Sequence, residues 1–223
     1  VYDRVLSMDA VAKNGSTSLY GTIVALSEST LDEDLIVIGT DDGLVQITTN
    51  GGESWKKVDD IPGAPSQSYV NAVYTSQHNE NIIYVVFNHH KYGDFRPYVF
   101  MTKDKGNTWS SISSNLPSRG SVYAIEEDHL DSGLIFCGTE FGAFFSPDNG
   151  GTWKELSSGL PTIAVRDIAI QREMSDLVLG TFGRGFYVLD DYSLLRNIEN
   201  KTISQNAMIL PTRDAIMWEK ASP

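Results

Sequence analysis

TTNGGESW at residues 48–55, TKDKGNTW at 102–109 and SPDNGGTW at 146–153 are three copies of one pattern, Ser/Thr-x-Asp/Asn-x-Gly-x-Ser/Thr-Trp. The recurring positions are Thr48, Asn50, Gly52 and Trp55, then Thr102, Asp104, Gly106 and Trp109, then Ser146, Asp148, Gly150 and Trp153. Upstream of the copies lie the apolar runs LIVIGT (35–40), IIYVVF (82–87) and LIFCGT (134–139), and a fourth run, DLVLGT (176–181), stands alone. Their starts are 47, 52 and 42 residues apart. Each run follows a further strand-like segment: YGTIVAL from Tyr20, YVNAVYT from Tyr69, SVYAIEE from Ser121 and AVRDIAI from Ala164. A repeat of about 47 residues holding four short antiparallel strands is the signature of a β-propeller blade. Blades stack face to face, so their middle strands are covered on both sides and read as unbroken apolar runs. No segment carries a capped 3.6-residue period, so helix content is expected to be low.

The expected fold is therefore all-β, about four four-stranded antiparallel blades forming part of a larger propeller. The blades fall near 20–62, 68–117, 121–161 and 164–195. Residues 1–19 read as the tail and connecting loop of a preceding blade, and 196–223 as an exit toward a downstream domain. The fourth unit lacks the eight-residue motif, so its outer strand comes from 207–210, from the N-terminus, or from nothing. Open blade edges invite association. Either two copies pair, four blades each, or the chain closes alone as a four-bladed ring.

In the motif, Asp104 and Asp148 are placed to accept backbone N–H bonds across a turn between the third and fourth strands. Gly51, Gly106 and Gly150 supply positive φ, and Trp55, Trp109 and Trp153 wedge a large ring against turn and neighbouring strand. A calcium loop or a carbohydrate-stacking tryptophan is the competing reading, but one turn per repeat serves the repeat. No cofactor or metal is expected.

This motif resembles the Asp-box, and the chain is similar over residues 15–215 to the sialidase, sortilin and BNR-repeat superfamily of propellers, above all to large bacterial glycosyl hydrolase-like and VPS10-like proteins. YGTIVALSES, VIGTDDGLVQIT, GDFRPYVFMTKDKGNTW, VRDIAI and LGTFGRGFYVLDDYSLLR carry the likeness. Asn50 departs from it, occupying an Asp position where only part of the bonding is kept. The resemblance implies a periplasmic or secreted bacterial protein. It also implies either a peptide- or glycan-binding module, as in sortilin-like domains, or a glycoside hydrolase. A sialidase needs an arginine triad, a Tyr/Glu pair and an acidic donor. Arg166, Arg184 and Arg96 are present, but the arginine-bearing motif is missing. Two-carboxylate chemistry has Glu140, Asp167 and Asp94 as candidates.

Alternate connections of an up-and-down blade lie on opposite faces, and ligands gather where loops converge on the channel mouth. The face opposite the motif turns carries Asp41 and Asp42, the longer segment Asn88–Pro97, Glu140 with Phe141, and Phe182–Gly185 with Arg184. Starts of the first strands add Thr22, Asn71, Tyr123 and Arg166, followed by Asp167. The expected ligand-binding set is Asp41, Asp42, Arg96, Tyr123, Glu140, Arg166 and Arg184. Each has a plainer role: Asp41 and Asp42 precede Gly43 in a tight turn, and Arg184 is suited to an ion pair with Asp167 or Glu140. His89 and His90 beside Asp94 suggest metal ligands, yet adjacent strand residues face opposite ways. FRPY (95–98) reads as a plug over the channel or as a ligand contact.

The 223 residues are long enough for a large core. Against 29 acidic side chains stand 17 basic ones, a net charge of −12 that argues against nucleic-acid binding and reads as loop solvation. Cys137 is the single cysteine, so no internal disulfide forms, and its apolar setting suits a small buried hydrophobe. No apolar stretch reaches membrane-spanning length.

Overall fold

Residues 21–58 and 60–198 are described by a computed structural model of the chain. β1 (Ile23–Glu28), β2 (Leu35–Thr40), β3 (Val45–Thr49) and β4 (Lys56–Val58) make the first antiparallel sheet. β5 (Tyr69–Thr75), β6 (Ile83–His89), β7 (Asp94–Thr102) and β8 (Ser110–Ser111) make the second. The third is β9 (Val122–Glu127), β10 (Ile135–Thr139), β11 (Gly142–Ser146) and β12 (Lys154–Glu155). The fourth has only three strands, β13 (Val165–Gln171), β14 (Asp176–Thr181) and β15 (Phe186–Leu189). In every sheet the strands pair in sequence order, as in a propeller blade. Among the described residues helix is limited to two 3-10 turns, His90–Tyr92 and Tyr192–Asn197.

Three apolar cores lie between successive blades. Val85 and Phe87 of β6 join Val37 and Ile47 of the first blade, whereas the alternate residues Tyr84 and Val86 join Ile135 and Cys137 of the third. A strand serving two cores must be apolar at every position, which explains the unbroken run IIYVVF. Cys137 is wholly buried, and burial raises its thiol far above the usual range, so it packs as a hydrophobe. Glycines mark the closest inter-blade crossings: a Cβ on Gly39 would sit 2.3 Å from Val70, and one on Gly138 2.6 Å from the carbonyl of Val165.

The motif turns repeat atom for atom. The hydroxyls of Thr48, Thr102 and Ser146 donate to Asn50, Asp104 and Asp148 at 2.7–2.8 Å. They accept the N–H of Gly52, Gly106 and Gly150 at 2.8–3.0 Å. The same carboxylate or carboxamide oxygen takes the N–H of Ser54, Thr108 or Thr152. Asn50 thus keeps these acceptor bonds, and its amide donates to Ser54 Oγ at 2.9 Å, where Asp104 instead accepts from Thr108. The substitution reverses one bond and loses none of these three.

Positive φ occurs at two consecutive positions, Gly51, Lys105 and Asn149 followed by Gly52, Gly106 and Gly150. Gly51 therefore corresponds to Lys105 and Asn149, whose N–H groups, like its own, reach a carbonyl of the first-to-second strand loop (Asp34, Asn81, Gly133). The second glycine has another duty. Its Cβ would lie 2.4 Å from Ile47 at Gly106 and 2.6 Å from Ile112 at Gly150, each in the preceding blade, but at Gly52 would meet only Trp55 at 3.9 Å. The tryptophans follow suit: Trp153 is 2% exposed and Trp55 40%. Each motif locks its blade to the one before, and the first motif has no such neighbour among the described residues.

The blades form an open arc. The first strands β1, β5, β9 and β13 touch in succession, while β1 and β13 share no comparable contact, so the alternative of a four-bladed ring closed on itself is not what the described residues form. Both ends expose apolar side chains, Leu26 at 66%, Phe186 at 79% and Val188 at 55%. In place of a motif, the fourth blade runs into the turn Tyr192–Asn197, whose buried Tyr192 and Arg196 bond Asp128. The segment assigned to a preceding-blade tail (1–19) and all of the exit segment beyond residue 198 lie outside the described residues, and with them 207–210 and the N-terminus, two of the three sources considered for the outer strand.

Candidate functional site

Every first strand carries a one-residue register slip near its start, after Ile23, Val70, Val122 and Val165. The extra residues are Val24, Asn71, Tyr123 and Arg166. A bulge re-aims a side chain out of the ladder, and here the same position on four blades is re-aimed. The first member is Val24 and not Thr22. Thr22 accepts the N–H of Asp41 as Ser121 accepts that of Glu140 and Ala164 that of Phe182, so it belongs one position before the paired residue that precedes the slip. Aligning on the tyrosine of YGTIVAL displaced the first blade by two residues.

An open groove of about 390 Å³ is lined by Tyr69, Asn71, Asn88, His90, Lys91, Tyr123 and Arg166. Arg166 sits over the ring of Tyr123, its guanidinium carbon 3.7 Å from the ring centre and 5.4 Å from that of Phe182. The Tyr123 hydroxyl donates to Glu140 Oε2 at 2.5 Å, and burial together with this bond pushes the phenol up to about 12. Glu140, Tyr123 and Arg166 therefore form one braced chain from the second-to-third strand turn to the groove. Asn88, 3% exposed, donates to Asn71 Oδ1 at 2.6 Å, and Asn71 donates to the Val122 carbonyl at 2.6 Å. Asn88 Oδ1 is buried without a partner. Lys91 sits 6.0 Å over the Tyr69 ring.

The remaining rim residues are engaged elsewhere. Asp41 accepts the Thr22 N–H at 2.8 Å and buried Asp42 accepts the Thr40 hydroxyl at 2.5 Å, so both brace the turn. Asp94 is held by Arg96 at 2.7 Å and by the Tyr98 hydroxyl at 2.7 Å. The Arg96 bond outweighs desolvation and keeps Asp94 well below the usual carboxylate range. Asp167 accepts the next N–H, that of Ile168, at 3.0 Å. Arg184 is exposed between β14 and β15 and pairs with neither Asp167 nor Glu140. FRPY lies within β7, and Asn88–Pro97 is a hairpin closed by the 3-10 turn His90–Tyr92 in place of a loop. His89 turns to Ser68 and stacks on Tyr92, while His90 lines the groove. Tyr69 joins the lining without a signal in the sequence, whereas Asn88, His90 and Lys91 fall within the Asn88–Pro97 segment expected on this rim. They enter through the β6–β7 hairpin, whose excess length was the available signal.

Sequential antiparallel sheets of four strands, the last of three, with repeated motif turns and a groove where first strands converge, define the class: this is a β-propeller domain, seen as an arc of four blades. The chain belongs to the DUF6242 beta propeller domain family, whose model matches residues 8–193. No curated protein shows significant similarity to it. Among solved structures, YCF48 bound to D1 peptide is similar at 20% identity, with TM-score 0.58 over 77% of this chain and 52% of that one. The GH74 xyloglucanase from Xanthomonas campestris is similar at 12% identity, TM-score 0.56, over 71% of this chain and 26% of that one. The extracellular domain of the one component system BT4673 from B. thetaiotaomicron is similar at 16% identity, TM-score 0.56, over 77% and 21%. The chain spans about half of YCF48 or less of each neighbour, and likeness at these identities shows the fold alone.

Proposed function

We propose that this propeller arc is a binding module that holds a peptide or carbohydrate at the groove, without catalysis of its own. The observation that carries the reading is the braced Glu140–Tyr123–Arg166 chain: it presents a stacked guanidinium to an open groove while committing the nearest carboxylate to an internal bond. Of the hydrolase candidates, Asp94 is neutralised by Arg96 and Asp167 bonds its own backbone, which weighs against a free acid and base facing each other. The peptide-bound state of one fold neighbour lends support to binding. Assignment of the motif to the Asp-box of sialidase and sortilin propellers is proposed in the same sense, with the three matching turns in its favour, as is a periplasmic or secreted location.

A combined peptide and glycan array probed with the wild type and with Arg166→Met tests the reading. Selected ligands should be lost by the variant. Saturable turnover of aryl glycosides, abolished by Glu140→Gln or Asp167→Asn, would establish hydrolysis instead.

A further inference from the structure

Charge is distributed unevenly around the groove. The protein carries 29 acidic and 17 basic residues, and three cations of the described region sit on acidic partners: Arg96 on Asp94, Lys105 on Asp32 and Glu80, Arg196 on Asp128. Lys91 and Arg166 have no carboxylate partner among the described residues, and no Asp or Glu lines the groove they share. Two cations without a salt bridge thus face one groove whose lining holds no carboxylate, the nearest, Glu140, being bonded to the Tyr123 hydroxyl. Arg166 is also held by stacking on Tyr123 and Phe182, so little side-chain freedom remains to be lost when its planar fork meets a carboxylate.

We propose that the groove recognises an extended peptide segment through acidic side chains, with Arg166 and Lys91 receiving the carboxylates. This rests on the binding-module reading and names its ligand class. The aromatic faces favour peptide over sugar. Carbohydrate recognition uses exposed ring faces as platforms, but Arg166 covers Tyr123 at 3.7 Å and Lys91 stands over Tyr69. The groove wall adds the Asn71–Asn88 carboxamide pair, with an acceptor on Asn88 that lacks a donor, a chemistry that matches backbone N–H groups. A volume of about 390 Å³ lies at the small end of ligand sites and suits a few residues. Because the whole protein is acidic, non-specific repulsion opposes an anionic peptide, so any affinity must arise locally.

The test is calorimetric titration with acetylated, amidated tetraglutamate, with blocked tetraglutamine, and with trigalacturonate as the anionic sugar. Tetraglutamate should bind at least about tenfold more tightly than tetraglutamine, the scale of one charge-assisted hydrogen bond, and should weaken as salt rises. Arg166→Met should lose about tenfold or more, and the exposed Lys91→Met several-fold with an unchanged circular dichroism spectrum, which keeps the test valid should Arg166→Met unfold. Equal binding of tetraglutamate and tetraglutamine overturns the acidic preference. Tighter binding of trigalacturonate, lost in the variants, overturns the peptide assignment and leaves the binding-module reading standing. Failure of all three probes alongside array ligands lost by Arg166→Met overturns this inference alone; failure of the array as well removes both.

Discussion

Replacing Trp153 by alanine probes how the motifs hold blade to blade. Its indole is 2% exposed among Val122, Ile135 and Ile112, its ring N–H donates to the Ile112 carbonyl at 2.7 Å, and its backbone is clasped at both ends by Asn115. Truncating a buried tryptophan costs about 3–5 kcal/mol, and leaving the Ile112 carbonyl without its donor moves the cost to the upper end. Trp55 occupies the same motif position but is 40% exposed, so Trp55→Ala should cost about 1 kcal/mol or less. With a urea slope of about 2–3 kcal/mol per M, Trp153→Ala should lower the midpoint by about 1.5–2 M and Trp55→Ala by less than about 0.5 M. Equal shifts in the two variants, or an unmoved midpoint for Trp153→Ala, would refute the inter-blade role.

The glycines make a parallel comparison. Gly150→Ala combines a φ of +85° with a Cβ 2.6 Å from Ile112 and should cost about 2–4 kcal/mol, against about 1–2 for Gly52→Ala, which meets only the strain of positive φ; urea midpoints check the order. Asp128, buried yet bonded by Arg196 and Tyr192, is held down to about 2 despite desolvation. Its stabilisation, about 2 kcal/mol, is complete above about pH 4 and fades as pH falls toward 2, so Asp128→Asn should flatten the acid limb of a stability profile. Glu126 is displaced the other way, burial raising it to about 7 against the opposing bond from Tyr74. Ionising it weakens the fold as pH rises from about 4 through 7, so Glu126→Gln should raise the melting temperature at pH 8 and leave it nearly unchanged at pH 4. The apolar arc ends around Leu26 and Phe186 should draw copies together; light scattering should exceed 24.6 kDa, and a mass of 24.6 kDa would contradict that expectation.

Blade number, strand order and motif turns were readable because each leaves a periodic trace. The spacing of the four apolar-run starts counts blades, and runs such as LIFCGT disclose strands covered on two sides. Asn50 shows the limit of residue type: a carboxamide oxygen accepts the same N–H as a carboxylate oxygen, so its bonding was underrated. The site was half legible. Tyr123, Arg166 and Glu140 were found from strand ends, but a register slip shifts every later side chain, and Thr22 was taken for the position of Val24. Asn88 and Lys91 were placed on this rim only as part of a long segment that reads as a loop insertion, whereas β6 and β7 continue their ladder through it to His89 and Asp94. The turn role of Asp41 and Asp42 was legible from the glycine that follows them, whereas the engagement of Asp94 by Arg96 and Tyr98 leaves no trace in composition.

Recognition by this propeller is assigned to the face opposite the motif turns. Hydrogen exchange measured with and without the array-selected ligand tests this most directly. Protection should concentrate at Asn71, Asn88–Lys91, Tyr123 and Arg166 and leave the turns at 50–55, 104–109 and 148–153 unchanged. Protection confined to those turns, with the groove unaffected, would contradict it.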